Sequence, residues 1–577
     1  MKSKEEFIDK LFEKGILVNK ELLDKDVDDK FLEEVKGEDD LIVLNDDYVE
    51  IISKQKTLVD WYEIDQHRVD FEKEGDQELY DTQLQDFRQS SLTVQTSSSK
   101  VNGTNNSEST QELESLETEL DKNKMGSSFQ SDELNVKEQI DQGLIAEGDK
   151  QNLEHIEKEL DYEIVYSYET ISHKYTVKDF SKIFLTRYRY LERIIRQHPE
   201  IGSLVSINRL KQKKEKEKVN VIGLVNEIAE TRNSNLILTI EDPTGKIKVL
   251  ISKNKEDLFK KGKELVHDEV IGIVGVSGND IIFAEDVIWP DIPSTNEMLK
   301  SKEEEYAIFL SDIHVGSDNF LEDSFNKFLK WLNGEAGNDK QKALASKVKY
   351  IFIAGDLVDG VGIYPAQESE LTITDITEQY DEFVRLISQV PKNKQIFVCP
   401  GNHDAVHLAE PQSVFYKEYC NSIYELENVT VVSNPGMINI GKKKDFSGFN
   451  ILMYHGYSFD YYVSNIDMIR NEGGYERADL IMQFLLKRRH LAPAFKSTPY
   501  IPAFDEDPLM IKKIPDIIIT GHIHYSSVAN YKGVTMICGS CWQGKTKFQE
   551  KLGHNPQPGR VPLVNLKTRD VKVLKFV

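Results

Sequence analysis

The chain has 577 residues, too many for a single hydrophobic core, so two to four domains are expected. Hydrophobic residues make up 39% and charged residues 29%; no apolar run reaches the ~18 residues that a membrane-spanning helix needs. The formal net charge of −26 weighs against extensive contact with a polyanion, which requires Lys and Arg. Any contacts with nucleic acid are then either few and local or supplied mainly by a more basic partner.

In chain order, the first 35 residues carry apolar side chains at helical spacing. Phe7, Ile8, Leu11 and Phe12 share one face, Gly15 is a stop, and Leu22, Leu23, Val27, Phe31 and Leu32 follow. This predicts a small helical N-terminal domain over residues 1–65. The opening MKSKEEFIDKLFEKG lacks the apolar stretch of a secretory signal. The four cysteines, Cys399, Cys420, Cys538 and Cys541, form no disulfide framework, and together these features predict a cytoplasmic chain with no membrane partner. Cys538-Gly-Ser-Cys541 is a formal CxxC without the second pair that zinc would need, and its apolar setting predicts buried thiols. Residues 75–160 turn to Ser, Thr, Asn, Gln and acids, a composition that cannot bury enough apolar surface to offset ordering. They are predicted to be a disordered linker.

Residues 163–298 are expected to form a helical lead-in followed by a small barrel. KIFLTRYRYLERIIRQ is a basic segment with helical apolar spacing. VNVIGLVNEI, NLILTIEDPTGKIKVLI and EVIGIVGVSGNDIIFAEDVIW then read as short strands with Gly-rich turns, a pattern that suggests an OB-type β-barrel. Nucleic-acid binding by such a barrel needs stacking platforms and a basic groove. No aromatic residue lies between Val219 and Ile251, and Glu215 and Glu217 interrupt the run Lys211, Lys213, Lys214 and Lys216. The expectation is a docking surface for protein.

From residue 305 to 577, apolar strands alternate with helical segments in a layered α/β pattern. The ends of five strands carry Asp312-x-His314, Gly355-Asp356-x-x-Asp359, Gly401-Asn402-His403-Asp404, His455-Gly456 and Gly521-His522-x-His524. Five of the chain's 13 histidines thus stand at strand ends beside acidic or amide residues. A single such histidine is most often structural; five strand ends repeating the arrangement are not. Mixed carboxylate, imidazole and amide donors suit two divalent metals ~3.5–4 Å apart, with a shared carboxylate between them.

These five blocks, in this order, resemble the calcineurin-like metallophosphoesterase family. The resemblance implies that Asp312, His314, Asp356 and His524 hold a first metal. Asp356, Asn402, His455 and His522 would hold a second, with Mn²⁺ the first choice and Mg²⁺, Zn²⁺ or Fe²⁺ as alternatives. It makes His403 the non-ligand catalytic histidine, oriented by Asp404, and leaves Asp359 to support its loop. The whole order of helical domain, linker, barrel and phosphoesterase is similar to the small subunits of archaeal D-family DNA polymerases, as are GDLVDGVGIYPAQESELTITDITEQYDEF and KTKFQEKLGHNPQPGRVPLVNL. That likeness implies 3′→5′ exonuclease activity at a DNA 3′ end and a large catalytic polymerase subunit as partner, with a sliding clamp reached through the holoenzyme. Alternatives are a polymerase-assembly scaffold without catalysis, a repair nuclease, or a phosphatase. The segment Gly360–Glu370 is expected to overhang the metals, with Tyr364 a candidate to stack on a terminal base; the alternative is a loop packed onto its own domain. Lys487, Arg488 and Arg489 are expected to form a solvated basic patch, with contact to the DNA backbone as the alternative. The expected fold class is therefore multidomain α+β: a helical N-terminal domain, an OB-type barrel and a layered α/β phosphoesterase domain.

Overall fold

The structure, a computed structural model, describes residues 161–577 with short gaps at 170–173, 213–215, 503–505 and 553, together with residues 17–18 and 43–44. Leu17–Val18 and Val43–Leu44 pair in parallel. The helical domain expected over 1–65 and the linker expected over 75–160 otherwise lie outside the described residues.

The helix α1 (Val177–Ile195) opens on Thr176, whose N–H and hydroxyl both donate to the Asp179 carboxylate. Its buried stripe of Ile183, Arg187, Tyr188, Leu191 and Ile195 follows the spacing seen in the sequence. Five strands then close a barrel: β2 (Lys218–Glu230), β3 (Leu236–Asp242), β4 (Gly245–Ile251), β5 (Val270–Ser277) and β6 (Ile281–Ile288), with α2 (Glu256–Lys263) between β4 and β5. Their order is β2-β3-β4-β6-β5, and β2 pairs with both β3 and β5. Inward side chains such as Val221, Leu238, Val249 and Ile273 fill the interior.

Residues 306–575, joined by one strand from before the barrel, build two six-stranded sheets packed face to face. In the first sheet, β7 (Tyr306–Leu310), β8 (Val348–Ala354) and β9 (Gln395–Cys399) run parallel. In the second, β12 (Phe449–Met453) and β13 (Ile517–Thr520) run parallel, and β11 (Gly436–Ile440) is antiparallel to β12. These strands read as continuous apolar runs because both faces are covered. Ala307 and Phe309 face the layer between the sheets, whereas Tyr306, Ile308 and Leu310 face the outer helices α3 (Glu322–Leu332) and α4 (Ile376–Ile387). Phe309, Phe352 and Phe397 stack across the three parallel strands with centroids 5.2 and 4.9 Å apart. A separate apolar layer containing Phe459, Met482 and Leu485 covers the other sheet.

Two long-range features depart from the sequence expectations. Strand β1 (Tyr162–Ser167), at the start of the segment assigned to the barrel lead-in, instead pairs antiparallel with β11 and forms an edge of the second six-stranded sheet. The two-sheet α/β module therefore draws strands from both sides of the barrel. The basic run 487–489 is not a solvated patch, nor is it placed to meet a DNA backbone. Arg488 is 2% exposed and lies 2.8 Å from Glu269, while Arg489, also buried, donates to the carbonyls of Ile511 and Lys512. Lys487 sits over the Trp289 ring and pairs with Glu264. A cation removed from water persists only when paired and hydrogen-bonded, and these three find their partners on the barrel flank and in the 511–512 segment.

Arg187 makes a second such junction. It donates to Asp507 at 2.6 Å and to the carbonyls of Asp268 and Pro493. Asp507 also accepts from Tyr500 and lies 2.8 Å from His490 Nε2. Removing one member of a buried pair strands the other, at about 3–5 kcal/mol. The Arg187→Ala chain is expected to melt at a markedly lower temperature, measured by calorimetry beside an exposed-site control such as Arg196→Ala.

Candidate metal centre

Every block singled out in the sequence lies at the C-terminal end of a parallel strand, and the two sheets bring all five ends together. Asp312 and His314 follow β7, Asp356 follows β8, Asn402 and His403 follow β9, His455 follows β12, and His522 and His524 follow β13. The backbone turns sharply there: Asp312 (φ 53°), His314 (55°), Asp356 (51°), His522 (73°) and His524 (53°) all adopt the left-handed region. For a residue with a Cβ this costs about 1–2 kcal/mol each, and such strain gathers at functional sites. Gly401 allows the closest approach, since a Cβ there would lie 2.2 Å from Asp356 Oδ1.

The side chains converge on two points. At the first, His314 Nε2 and His524 Nε2 face one another at 3.0 Å, with Asp312 Oδ1 3.4 Å from His524 and Asp356 Oδ2 3.8 Å from His314. At the second, Asn402 Oδ1 lies 2.9 Å from both His455 Nε2 and His522 Nδ1, and Asp356 Oδ2 is 3.3 Å from His455 Nε2. Asp356 belongs to both. Three groups of His and Asp ligand atoms close enough to hold a metal ion occur here: Asp312, His314 and His524; Asp312, Asp356 and His455; and His314, Asp356 and His403.

The outer ring nitrogens fix which lone pairs face inward. His455 Nδ1 lies 2.9 Å from the Ala354 carbonyl, His522 Nε2 3.0 Å from Asp460, and His314 Nδ1 3.1 Å from Asp359. For His455 and His522 an acceptor claims the outer N–H and leaves the inner nitrogen as a donor atom toward the centre; for His314 the Asp359 carboxylate lies close without a well-aligned hydrogen bond. Facing imidazole lone pairs repel unless a cation lies between them, so this donor set fits divalent metals. The electrostatics agree. Burial would raise the Asp356 carboxyl, but His455 and His403 outweigh it and hold it well below the usual carboxylate range. Burial would lower His455, but Asp356 and Asp312 lift it to about 10: the buried carboxylates draw positive charge to this point, and a metal binding there displaces that ring's proton.

His403 stands beside this cluster, its ring edge-on to His314 at 4.7 Å. Its backbone N–H donates to Asp356 Oδ1, and its Nδ1 lies 2.7 Å from the Asp359 carbonyl, which leaves Nε2 free. The expected Asp404–His403 contact is not made. Asp404 instead accepts from the backbone N–H groups of Gly401 and Leu357 and from the Tyr380 hydroxyl. Through these bonds it braces the loop that carries Asn402 and His403. Burial, followed by repulsion from Asp356, pushes the Asp404 carboxyl up to about 7.

Asp359 anchors its loop as expected, accepting from Gln367 and Gln543. Tyr364, the expected stacking residue, donates its hydroxyl to Glu370 within its own loop and does not line the groove beside Asn402 and His403. The part of that loop beside Asn402 and His403 is Val361, Gly362 and Ile363. Sequence reading singled out none of Asp460, Gln367, Gln379 and Gln543, polar residues whose roles arise from contacts as far as 226 residues away. Cys399, Cys420, Cys538 and Cys541 are all free and buried. Among the described residues no helix is long and apolar enough to cross a membrane.

Comparison with known proteins agrees with this geometry. A family model described as calcineurin-like phosphoesterase matches residues 307–526. Three similar curated proteins are each named DNA polymerase II small subunit. The one from Methanothermobacter thermautotrophicus is 37% identical over 73% of this chain and 84% of its own length. Those from Pyrococcus furiosus and Archaeoglobus fulgidus are 40% and 41% identical, over 69% and 67% of this chain and 64% and 74% of their own lengths.

An added methyl at Gly401 would displace the Asp356 carboxylate. The Gly401→Ala chain is expected to lose the rise in melting temperature that Mn²⁺ gives the parent chain, with its circular dichroism unchanged at low temperature.

Proposed function

This chain belongs to the family of archaeal DNA polymerase II small subunits, and we propose that it combines a two-metal 3′→5′ exonuclease with a scaffold for the large catalytic subunit of a D-family polymerase. The observation that carries the reading is the complete donor set: seven side chains turned toward two points, with Asp356 common to both. Asp312, His314, Asp356 and His524 would hold one metal, and Asp356, Asn402, His455 and His522 the other. When bound, the pair would supply Lewis acidity that neutralises charge on the phosphoryl oxygens and acidifies the attacking water.

The chain's own residues would do the rest. Asp359, through its carbonyl, holds the His403 ring so that Nε2 faces the centre, where it can give a proton to the departing 3′ oxygen or stabilise charge there. Asp356, hydrogen-bonded to the His403 backbone, couples the metal pair to that acid at a fixed separation. The strand order of the barrel, with its helix between the third and fourth strands, is that of an OB-type fold. In this reading the barrel docks protein, and the basic surface that DNA needs comes from the large subunit, consistent with a net charge of −26 here.

The test is incubation of the purified chain with Mn²⁺ and 5′-labelled single-stranded or mismatched primer DNA. Stepwise shortening from the 3′ end is expected, and His403→Ala should slow it by about 10²–10⁴-fold, the usual share of a general acid. No cleavage, alone or with the large subunit added, would leave a metal-binding scaffold as the better account.

A further inference from the structure

Beside the metal centre runs a groove of about 620 Å³ that none of the expected substrate contacts occupies. Asn402 and His403 form its inner end, so it is continuous with the candidate site. Its walls are apolar and aromatic, and several are exposed although large: Val361 (46%), Ile363 (38%), Leu408 (44%), Tyr416 (40%) and Tyr419 (38%). Exposed apolar surface of this kind, contiguous and next to a reactive centre, marks a ligand site more often than chance. Tyr416 and Tyr419 stand three residues apart at the short helix Lys417–Cys420 and so share one side of it. Neither hydroxyl is hydrogen-bonded among the described residues, whereas Tyr424, just outside the groove, donates to the Phe415 carbonyl. Tyr457 forms another part of the wall and meets the His522 ring edge-on at 5.6 Å.

The groove's charge narrows what could lie in it. Its lining includes no lysine or arginine and one carboxylate, Asp404. A duplex end presents mainly phosphates to a protein and keeps its bases stacked on each other, so this wall offers it little. Unpaired bases, with their faces free, are suited to tyrosine platforms, and stacking of that kind is indifferent to sequence. Resting on the exonuclease reading above, we propose that this groove receives the last bases of a frayed or single-stranded 3′ end, with Tyr416 and Tyr419 as its stacking residues. Selectivity for mispaired termini then follows from the site itself: a paired terminus must first leave its own stack to enter.

The experiment uses the full chain, with Tyr416→Ala/Tyr419→Ala and Tyr416→Phe/Tyr419→Phe as paired variants. Both positions are exposed, so folding is not at stake. Two readouts are taken: affinity for fluorescein-labelled oligothymidine by anisotropy, and Mn²⁺-dependent hydrolysis of that oligonucleotide and of bis(p-nitrophenyl) phosphate, which is too small to span the groove. The alanine pair is expected to weaken oligothymidine binding and raise its KM by about tenfold or more, to leave the small diester unchanged, and to be rescued by the phenylalanine pair. Unchanged affinity for oligothymidine, or an equal loss on both substrates, would overturn the proposal. Tyrosine-dependent binding with no hydrolysis of either substrate by the parent chain, alone or with the large subunit added, would uphold the groove and sink the exonuclease reading instead.

Discussion

A carboxylate buried beneath strand ends must be compensated, and Asp356 sets that condition for everything around it. It lies 2% exposed where the two sheets meet, with Asp312 and Asp359 also out of water nearby. Such a cluster survives only if imidazole nitrogens, backbone N–H groups and divalent cations share its charge. The five strand ends supply the first two, and their convergence leaves places for the third. The backbone is bent to make this possible. Five residues in the left-handed region together represent on the order of 5–10 kcal/mol of strain, comparable with the whole net stability of a domain. That strain is tolerable because the strands on either side are locked into three apolar layers with almost no exposed surface.

The same logic of paired buried charge joins the barrel to the phosphoesterase module. Arg187 and Arg488 each sit at a junction where one partner comes from the barrel side and another from the α/β side. Ion pairs of this sort add little net stability over an apolar isostere, but they tolerate only one arrangement, so they fix how the two modules meet. Strand β1 strengthens the connection, because the chain begins the second sheet, leaves to build the barrel, and then returns. A scaffold of the kind proposed, presenting both a docking barrel and a metal centre to one large subunit, would need this rigidity.

Much of the centre was legible in the sequence because its signal is local. Each candidate ligand follows an apolar strand, four of the seven (Asp356, Asn402, His455 and His522) stand next to a glycine, and Asp312-x-His314 and His522-x-His524 repeat one spacing. The barrel strands and α1 were legible for the same reason, from alternation and helical spacing. What escaped depends on contacts distant in the chain. Arg488 and Arg489 read as surface because nothing near them in sequence reveals Glu269 or the Ile511 carbonyl. The orientation of His403 rests on a backbone carbonyl, which any residue at position 359 would provide, so Asp404 was the more visible and mistaken choice. Tyr364 was visible because its loop lies in a family-like segment, while Tyr416 and Tyr419, the stacking residues proposed above, stand in a segment with no motif at all. Strand β1 was misplaced because strand order in a sheet is not encoded by any single strand.

The most direct test of the account is a crystal structure of the chain with Mn²⁺, read by anomalous scattering at the manganese edge. Two peaks ~3.5–4 Å apart are expected, one among Asp312, His314 and His524, the other among Asn402, His455 and His522, with Asp356 reaching both. A single peak, or a pair that Asp356 does not bridge, would contradict the claim that these strand ends form one two-metal centre.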